Sequence, residues 1–124
     1  MTSGLTIIIA DDHPLFRGAM RQALGGMPGN PAIIEAGDFT SARQAAIGNP
    51  SADLMLLDLT MPRMDGEETL RKLRLINPDL RVILTSGFNE QSTINRFVGR
   101  GIAGFLPKPF TVDMLTEQLR KILP

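Results

Sequence analysis

Five short apolar runs, separated by amphipathic stretches, constrain this chain more than any other feature. They fall at 6–10, 32–36, 54–57, 81–85 and 104–106. Most read as nearly continuous apolar strands, as expected of a parallel sheet with helices on both faces, because a strand buried on both sides has no polar face to show. The intervening stretches carry helical signals. Val112, Leu115, Leu119 and Ile122 form one stripe at spacings of three, four and three; the other face carries Asp113, Glu117, Gln118, Arg120 and Lys121, and Thr111 stands where an N-cap belongs. A first helix opens near Pro14, where a missing N–H costs nothing, runs to about Leu24 and stops at Gly25-Gly26. Asp38 or Thr40 could cap a second helix that ends near Gly48-Asn49-Pro50, and Asp65 a third that carries Leu70 and Leu73 as far as Asn77-Pro78. A fourth, at 90–100, offers only Ile94, Phe97 and Val98 as a stripe and is expected to be the least firmly held.

The order is (βα)5, which predicts an α/β, doubly wound, five-stranded parallel sheet in one domain spanning residues 1–124. Strand order is not written in one sequence. Right-handed crossovers and the common order 2-1-3-4-5 are the expectation, and that order places chemistry at the carboxyl ends of the first and third strands.

Composition narrows the partners. Thirteen basic and thirteen acidic side chains cancel, and no Lys/Arg stripe stands out, which points away from direct nucleic-acid binding. The absence of cysteine removes disulfides, thiolate metal sites and thiol nucleophiles, and it fits a reducing compartment. Residues 1–5 lack a basic leader region, and the apolar run at 7–10 is far too short to span a membrane. The expected location is cytoplasmic, with no membrane partner.

Three carboxylates fall where the topology predicts chemistry: Asp11 and Asp12 after the first strand, and Asp58 at the end of the third. Like charges held close together are costly unless a cation neutralises them, so the economical reading is a hard divalent ion, Mg2+ by preference or Mn2+, bound through oxygen. With no cysteine and a single histidine, His13, zinc is disfavoured. Thr85-Ser86 add hydroxyls at the end of the fourth strand, and Lys108 adds an ammonium group after the fifth. Such a set can neutralise a transferring phosphoryl group, with an aspartate as nucleophile.

Four separated motifs together resemble the receiver domain of bacterial response regulators, over nearly the whole chain. Ala10-Asp11-Asp12-His13 is similar to the acidic pair, and Leu57-Asp58-Leu59-Thr60-Met61-Pro62 with Met64-Asp65-Gly66 to the phosphoacceptor segment. Thr85-Ser86-Gly87 resembles the switch hydroxyl segment, and Phe105-Leu106-Pro107-Lys108-Pro109-Phe110 the lysine segment. The resemblance implies a flavodoxin-like fold, Asp58 as phosphoacceptor, Asp11 and Asp12 as metal-binding acids, Lys108 as the phosphoryl-contacting cation, and Thr60 lending a backbone carbonyl to the metal. Ser86 lies 28 residues after Asp58 and 22 before Lys108, which suits the family spacing better than Thr85 does. Phe105 would be the aromatic whose rotamer follows the switch, Thr60 and Phe88 would tune water access, and the Lys108-Pro109 bond resembles one that is usually cis. The implied donor is a phosphohistidine on a sensor histidine kinase or phosphotransfer protein. The implied output face is the fourth helix, fifth strand and fifth helix, also a possible homodimer surface. On this reading the chain is a signalling domain that catalyses only its own phosphorylation and dephosphorylation, not an enzyme.

Other readings fit less well. An aspartyl-phosphate phosphatase usually needs a second acid two residues beyond the nucleophile, where Thr60 stands. A flavin module would want a Ser/Thr/Gly phosphate loop where Asp11 and Asp12 would repel phosphate. A phosphorylation-independent interaction domain would have no need of the complete acidic set. His13, beside Pro14 and without an evident partner, reads as a structural or surface residue, and Met20, Met55 and Met114 as core filling. Residues 10–17 resemble receivers that precede helix-turn-helix domains, whereas 85–110 resemble receivers of hybrid sensor kinases, which leaves family drift and a recombined or engineered chain both open.

Overall fold

The apolar runs become β1 (Thr6–Ala10), β2 (Ala32–Ala36), β3 (Leu54–Asp58), β4 (Arg81–Ser86) and β5 (Gly104–Pro107). They pair in parallel in the order β2-β1-β3-β4-β5, as the doubly wound expectation requires. The computed structural model describes residues 5–27, 31–59, 61, 66–86, 101–108 and 110–122. Within these lie helices α1 (Pro14–Gly25), α2 (Phe39–Gly48), α3 (Gly66–Ile76) and α4 (Val112–Ile122), the last being the helix placed fifth from the sequence. The expected fourth helix at 90–100, the Asp65 cap, Thr60, Phe88 and Pro109 lie outside the described residues.

Strand side chains alternate between two cores, because successive residues point to opposite faces of a sheet. Ile8, Met55, Leu57, Val82 and Leu84 join Ala42 and Ala46 of α2 and Leu70 and Leu73 of α3 on one face. Ile7, Ile9, Leu54, Leu56 and Ile83 join Met20 and Leu24 of α1 and Leu115 and Leu119 of α4 on the other. Full burial of an aliphatic side chain of this size contributes roughly 1.5–3 kcal/mol, so these two layers dominate the stability of the domain.

Local signals set the helix ends. Asp38, not Thr40, caps α2, its Oδ1 accepting from Ser41 N at 2.7 Å. Thr111 Oγ1 accepts from Met114 N at 3.1 Å and opens α4. Gly101, at φ +82, takes a left-handed conformation suited to glycine just before β5, and Arg74 of α3 donates to its carbonyl and to that of Leu80.

Two expectations are corrected. Val112 is 49% exposed. As the first residue of α4 it precedes the turn that meets the sheet, and the buried part of the stripe is Leu115 and Leu119, with Ile122 packed partly against them. Met114, one position off that stripe, is also exposed and lines a shallow cavity with Phe105 and Pro107; Met20 and Met55 are core residues as expected.

The topology brings the carboxyl ends of all five strands to one rim. Asp11 and Asp12 follow β1, Asp58 closes β3, Ser86 closes β4 and Lys108 follows β5.

Candidate functional site

Asp11 is fixed first by its backbone, whose N–H extends the sheet by donating to Ala36 O at 3.0 Å. Its side chain is buried, and Oδ1 accepts from both His13 N at 2.9 Å and His13 Nδ1 at 2.8 Å. Asp58, fully buried at the end of β3, is held by its ladder position opposite Thr85 and by Leu59 N donating to Thr85 O at 2.9 Å. Lys108 reaches the same place from the far side of the fold. Its backbone N–H donates to Ser86 O at 2.8 Å, and its Nζ lies 2.6 Å from Asp11 Oδ2 and 3.5 Å from Asp58 Oδ2.

One oxygen each from Asp11, Asp12 and Asp58, together with a ring nitrogen of His13, lie within 4.8 Å of one another, and His13 Nδ1 is 2.8, 3.1 and 4.0 Å from the three carboxylates in turn. The three acids expected to converge do so, with the lysine opposite. Three carboxylates facing one ammonium group leave an excess of two negative charges, which a divalent cation would neutralise. Asp12 supplies a further sign: its Oδ1 is buried without a hydrogen bond among the described residues. His13 Nδ1 is 3.1 Å away, but its single hydrogen is given to Asp11. A buried carboxylate oxygen lacking a donor is a natural cation ligand. The residues present therefore fit a hard divalent ion bound through Asp11, Asp12 and Asp58; Thr60 lies outside the described residues.

The hydroxyl pair divides at the rim. Thr85 stands directly across the ladder from Asp58, and Ser86 one residue further out, paired with Pro107; both are buried. Phe105, on β5, is half-buried against the α2/α3 core.

Several contacts escape a reading of the sequence. His13 is not without a partner: it binds Asp11 and approaches Asp12 and Asp58, although its side chain is 61% exposed. Phe16 of α1 lies under Lys108, with Nζ 4.5 Å from the ring centroid, and Phe110 meets Phe16 edge-on at 5.5 Å. Arg17 Nη1 donates to Asp11 O at 2.6 Å, and its Nε to Glu35 Oε1 at 3.1 Å; Arg21 Nε binds the other oxygen of Glu35 at 2.6 Å. The Arg21 hydrogen bond above all, with that of Arg17, holds the Glu35 carboxyl below its ordinary pKa against the opposing effect of burial. One sequence signal was available for part of this. His13, Phe16 and Arg17 sit on the chain that leaves the acidic pair, where helical spacing returns side chains to the same rim.

Over residues 7–120 the sequence matches the response regulator receiver domain family, and the chain belongs to it. Receivers of this kind work in two-component signalling. The chain is 35% identical over 118 residues to the glycerol metabolism activator of Pseudomonas putida, covering 94% of this chain and 53% of that protein. It is 35% identical over 114 residues to the nitrate/nitrite response regulator NarP of Escherichia coli, covering 92% and 53%. The signal receiver domain of a putative response regulator NarL from Mycobacterium tuberculosis superposes with a TM-score of 0.81 at 32% identity, covering 98% of this chain and 95% of that one. The chain spans about half the length of the curated relatives it matches. These alignments run through both halves of the sequence, so they support one receiver and lend nothing to a recombined chain. Among the described residues no helix is long and apolar enough to cross a membrane.

Proposed function

We propose that the chain is a phosphoacceptor receiver in which Asp58 takes a phosphoryl group from a phosphohistidine on a sensor histidine kinase or phosphotransfer protein. The observation that carries this is the meeting of Lys108 with Asp11 and Asp58, residues 97 and 50 positions away, at one rim. An Asp58 carboxylate oxygen forms the new bond to phosphorus while the phosphorus–nitrogen bond of the donor breaks, and its electron pair returns to the imidazole. Asp11, Asp12, Asp58 and the Thr60 carbonyl would hold Mg2+ or Mn2+, which would supply charge neutralisation for the phosphoryl oxygens. Lys108 exchanges part of its contact with Asp11 for a phosphoryl oxygen. Ser86, at the rim beyond Asp58, donates its hydroxyl to another.

The switch follows from these contacts. Drawing Ser86 toward the phosphoryl group moves the end of β4, and Phe105 rotates inward behind it. The output face is then β5 and α4 together with the expected helix at 90–100, which lies outside the described residues, and the same face is the surface for a homodimer. Residues 1–124 act as a single cytoplasmic receiver domain that modifies itself and does not turn over an external substrate. The partners are proteins, and membrane and nucleic acid are not touched directly.

Incubation with acetyl phosphate and Mg2+ is expected to label the wild-type chain and not Asp58→Asn, with both giving the same circular dichroism spectrum. Labelling of the variant at the wild-type rate rejects the assignment. Binding of beryllium fluoride only in the presence of Mg2+ separates this reading from a phosphorylation-independent interaction domain.

A further inference from the structure

The acidic rim contains a donor that a purely hard-cation site does not need. His13 Nδ1 lies 2.8 Å from Asp11 Oδ1, 3.1 Å from Asp12 Oδ1 and 4.0 Å from Asp58 Oδ2. The imidazole thus faces one oxygen of each of the three carboxylates. It is also held there, because the His13 backbone N–H and its ring nitrogen both bind the same oxygen of Asp11.

We propose that His13 Nδ1 is a nitrogen ligand of this site, giving it selectivity for a borderline divalent cation, of which Zn2+ is the type, that oxygen ligands alone would not provide. The proposal rests on the reading of Asp11, Asp12 and Asp58 as a cation site. A histidine that is single in the sequence and lacks cysteine partners counts against a closed structural zinc site, which draws on four protein ligands. The rim instead offers three carboxylates and one imidazole, an oxygen-rich set unlike the Cys/His sets of structural zinc sites, and the 61% exposure of the His13 side chain leaves room for water to enlarge the coordination shell. Affinity for nitrogen-containing donor sets rises along the first-row series, whereas Mg2+ prefers oxygen and gains little from imidazole.

Coordination requires no proton to leave the site. An ionised carboxylate can only accept, so the 2.8 Å contact between Nδ1 and Asp11 Oδ1 assigns the ring hydrogen to Nδ1 when no cation is bound. With a cation at that edge, the neutral ring carries its hydrogen on Nε2 instead and Nδ1 gives its lone pair to the metal. Asp11 Oδ1 then exchanges an N–H donor for the cation, while Lys108 stays on Oδ2. The second contact to Oδ1, from the His13 backbone, keeps the imidazole in place throughout.

His13 is the only histidine of the chain, so a tag-free, 15N-histidine-labelled sample gives one pair of ring signals. The expected result is that Zn2+ moves the Nδ1 resonance strongly and Mg2+ does not. Calorimetric titration of the full chain with each metal supplies the second measure. His13→Asn keeps an N–H donor for Asp11 but has no aromatic nitrogen; it is expected to lower the Zn2+ to Mg2+ affinity ratio by about tenfold. Asp58→Asn, which retains the histidine, is expected to weaken Zn2+ binding, marking the imidazole and the carboxylates as one site. An unmoved Nδ1 signal, an unchanged affinity ratio in His13→Asn, or undiminished Zn2+ binding in Asp58→Asn overturns the proposal and leaves the Mg2+ site standing. Failure of the wild-type chain to bind either metal overturns both.

Discussion

Two aspartates, five residues apart, stand at opposite ends of β3 and do opposite work. Asp53, just before the strand, stitches the amino-end rim together: its Oδ2 accepts from Thr6 N at 2.8 Å, its own N donates to Thr6 O at 2.9 Å, and its carbonyl accepts from Arg81 N. Asp58, the last residue of the strand, is buried among Asp11, Asp12 and Lys108. The first carboxylate is occupied by one backbone donor of the neighbouring strand, Thr6 N–H. The second is held among like charges, an arrangement that costs free energy and that folding alone does not need. The difference separates an aspartate kept for the sheet from one kept for chemistry.

The contrast breaks most visibly through substitution at the carboxyl end. Asp58→Asn removes one of three crowded charges, so in the absence of divalent metal it is expected to match or exceed the wild type in urea stability while losing all acetyl phosphate labelling. A large fall in stability would mean that Asp58 serves the sheet as Asp53 does. Asp53→Ala is the reciprocal experiment. It strands the Thr6 N–H and is expected to cost about 1–3 kcal/mol in urea unfolding, with labelling at Asp58 unchanged. Loss of labelling in that variant, once folded, would couple the two rims and undo the distinction.

A smaller effect sharpens the picture at the functional rim. Lys108 is mostly buried, with its ammonium group over the Phe16 ring at 4.5 Å. Replacing Phe16 by Leu keeps an apolar residue beneath α1 but removes the ring face, worth roughly 0.5–2 kcal/mol to a cation. The expected outcome is weaker beryllium fluoride binding at unchanged thermal midpoint, with Phe16→Tyr restoring the affinity. Equal loss in the Leu and Tyr variants would assign Phe16 to packing rather than to Lys108.

The sequence exposed the parts of this protein whose signals are local. The inner strands β1, β3 and β4 were legible because burial on both faces leaves mainly apolar residues, as at Ile7, Ile8 and Ile9, whereas the edge strands β2 and β5 are only partly buried and were legible from shorter apolar runs. The acids were legible because they interrupt the inner runs at their ends. The order of the strands was not, since nothing in the runs at 32–36 or 54–57 says which lies beside β1; it followed from the general preference of doubly wound sheets. His13 and Phe16 were missed for a related reason. What they touch depends on how α1 rotates as it leaves Pro14 and on where Lys108 arrives from more than ninety residues away. Val112 and Met114 show the converse limit, for a helical stripe marks the side that faces the core but not the turn at which contact begins.

The smallest expected effect tests the tether between the functional rim and β2. Arg17 joins the Asp11 carbonyl to Glu35, and Arg21 joins Glu35 to the Ile33 carbonyl at 3.1 Å. Because the Arg21 and Arg17 hydrogen bonds depress the Glu35 pKa, their stabilisation is fully present above the unfolded glutamate value of about 4.3 and is lost as pH falls through the lower folded value. Both arginines are partly exposed, so Glu35→Gln is expected to cost about 1 kcal/mol or less at neutral pH. Urea melts of the two proteins should converge as the pH is lowered beyond the glutamate range, whereas a gap that persists there would mean the tether works through shape and not charge. Mg2+ affinity should hardly change, because the tether reaches Asp11 through its backbone oxygen and leaves both carboxylate oxygens to His13 and Lys108.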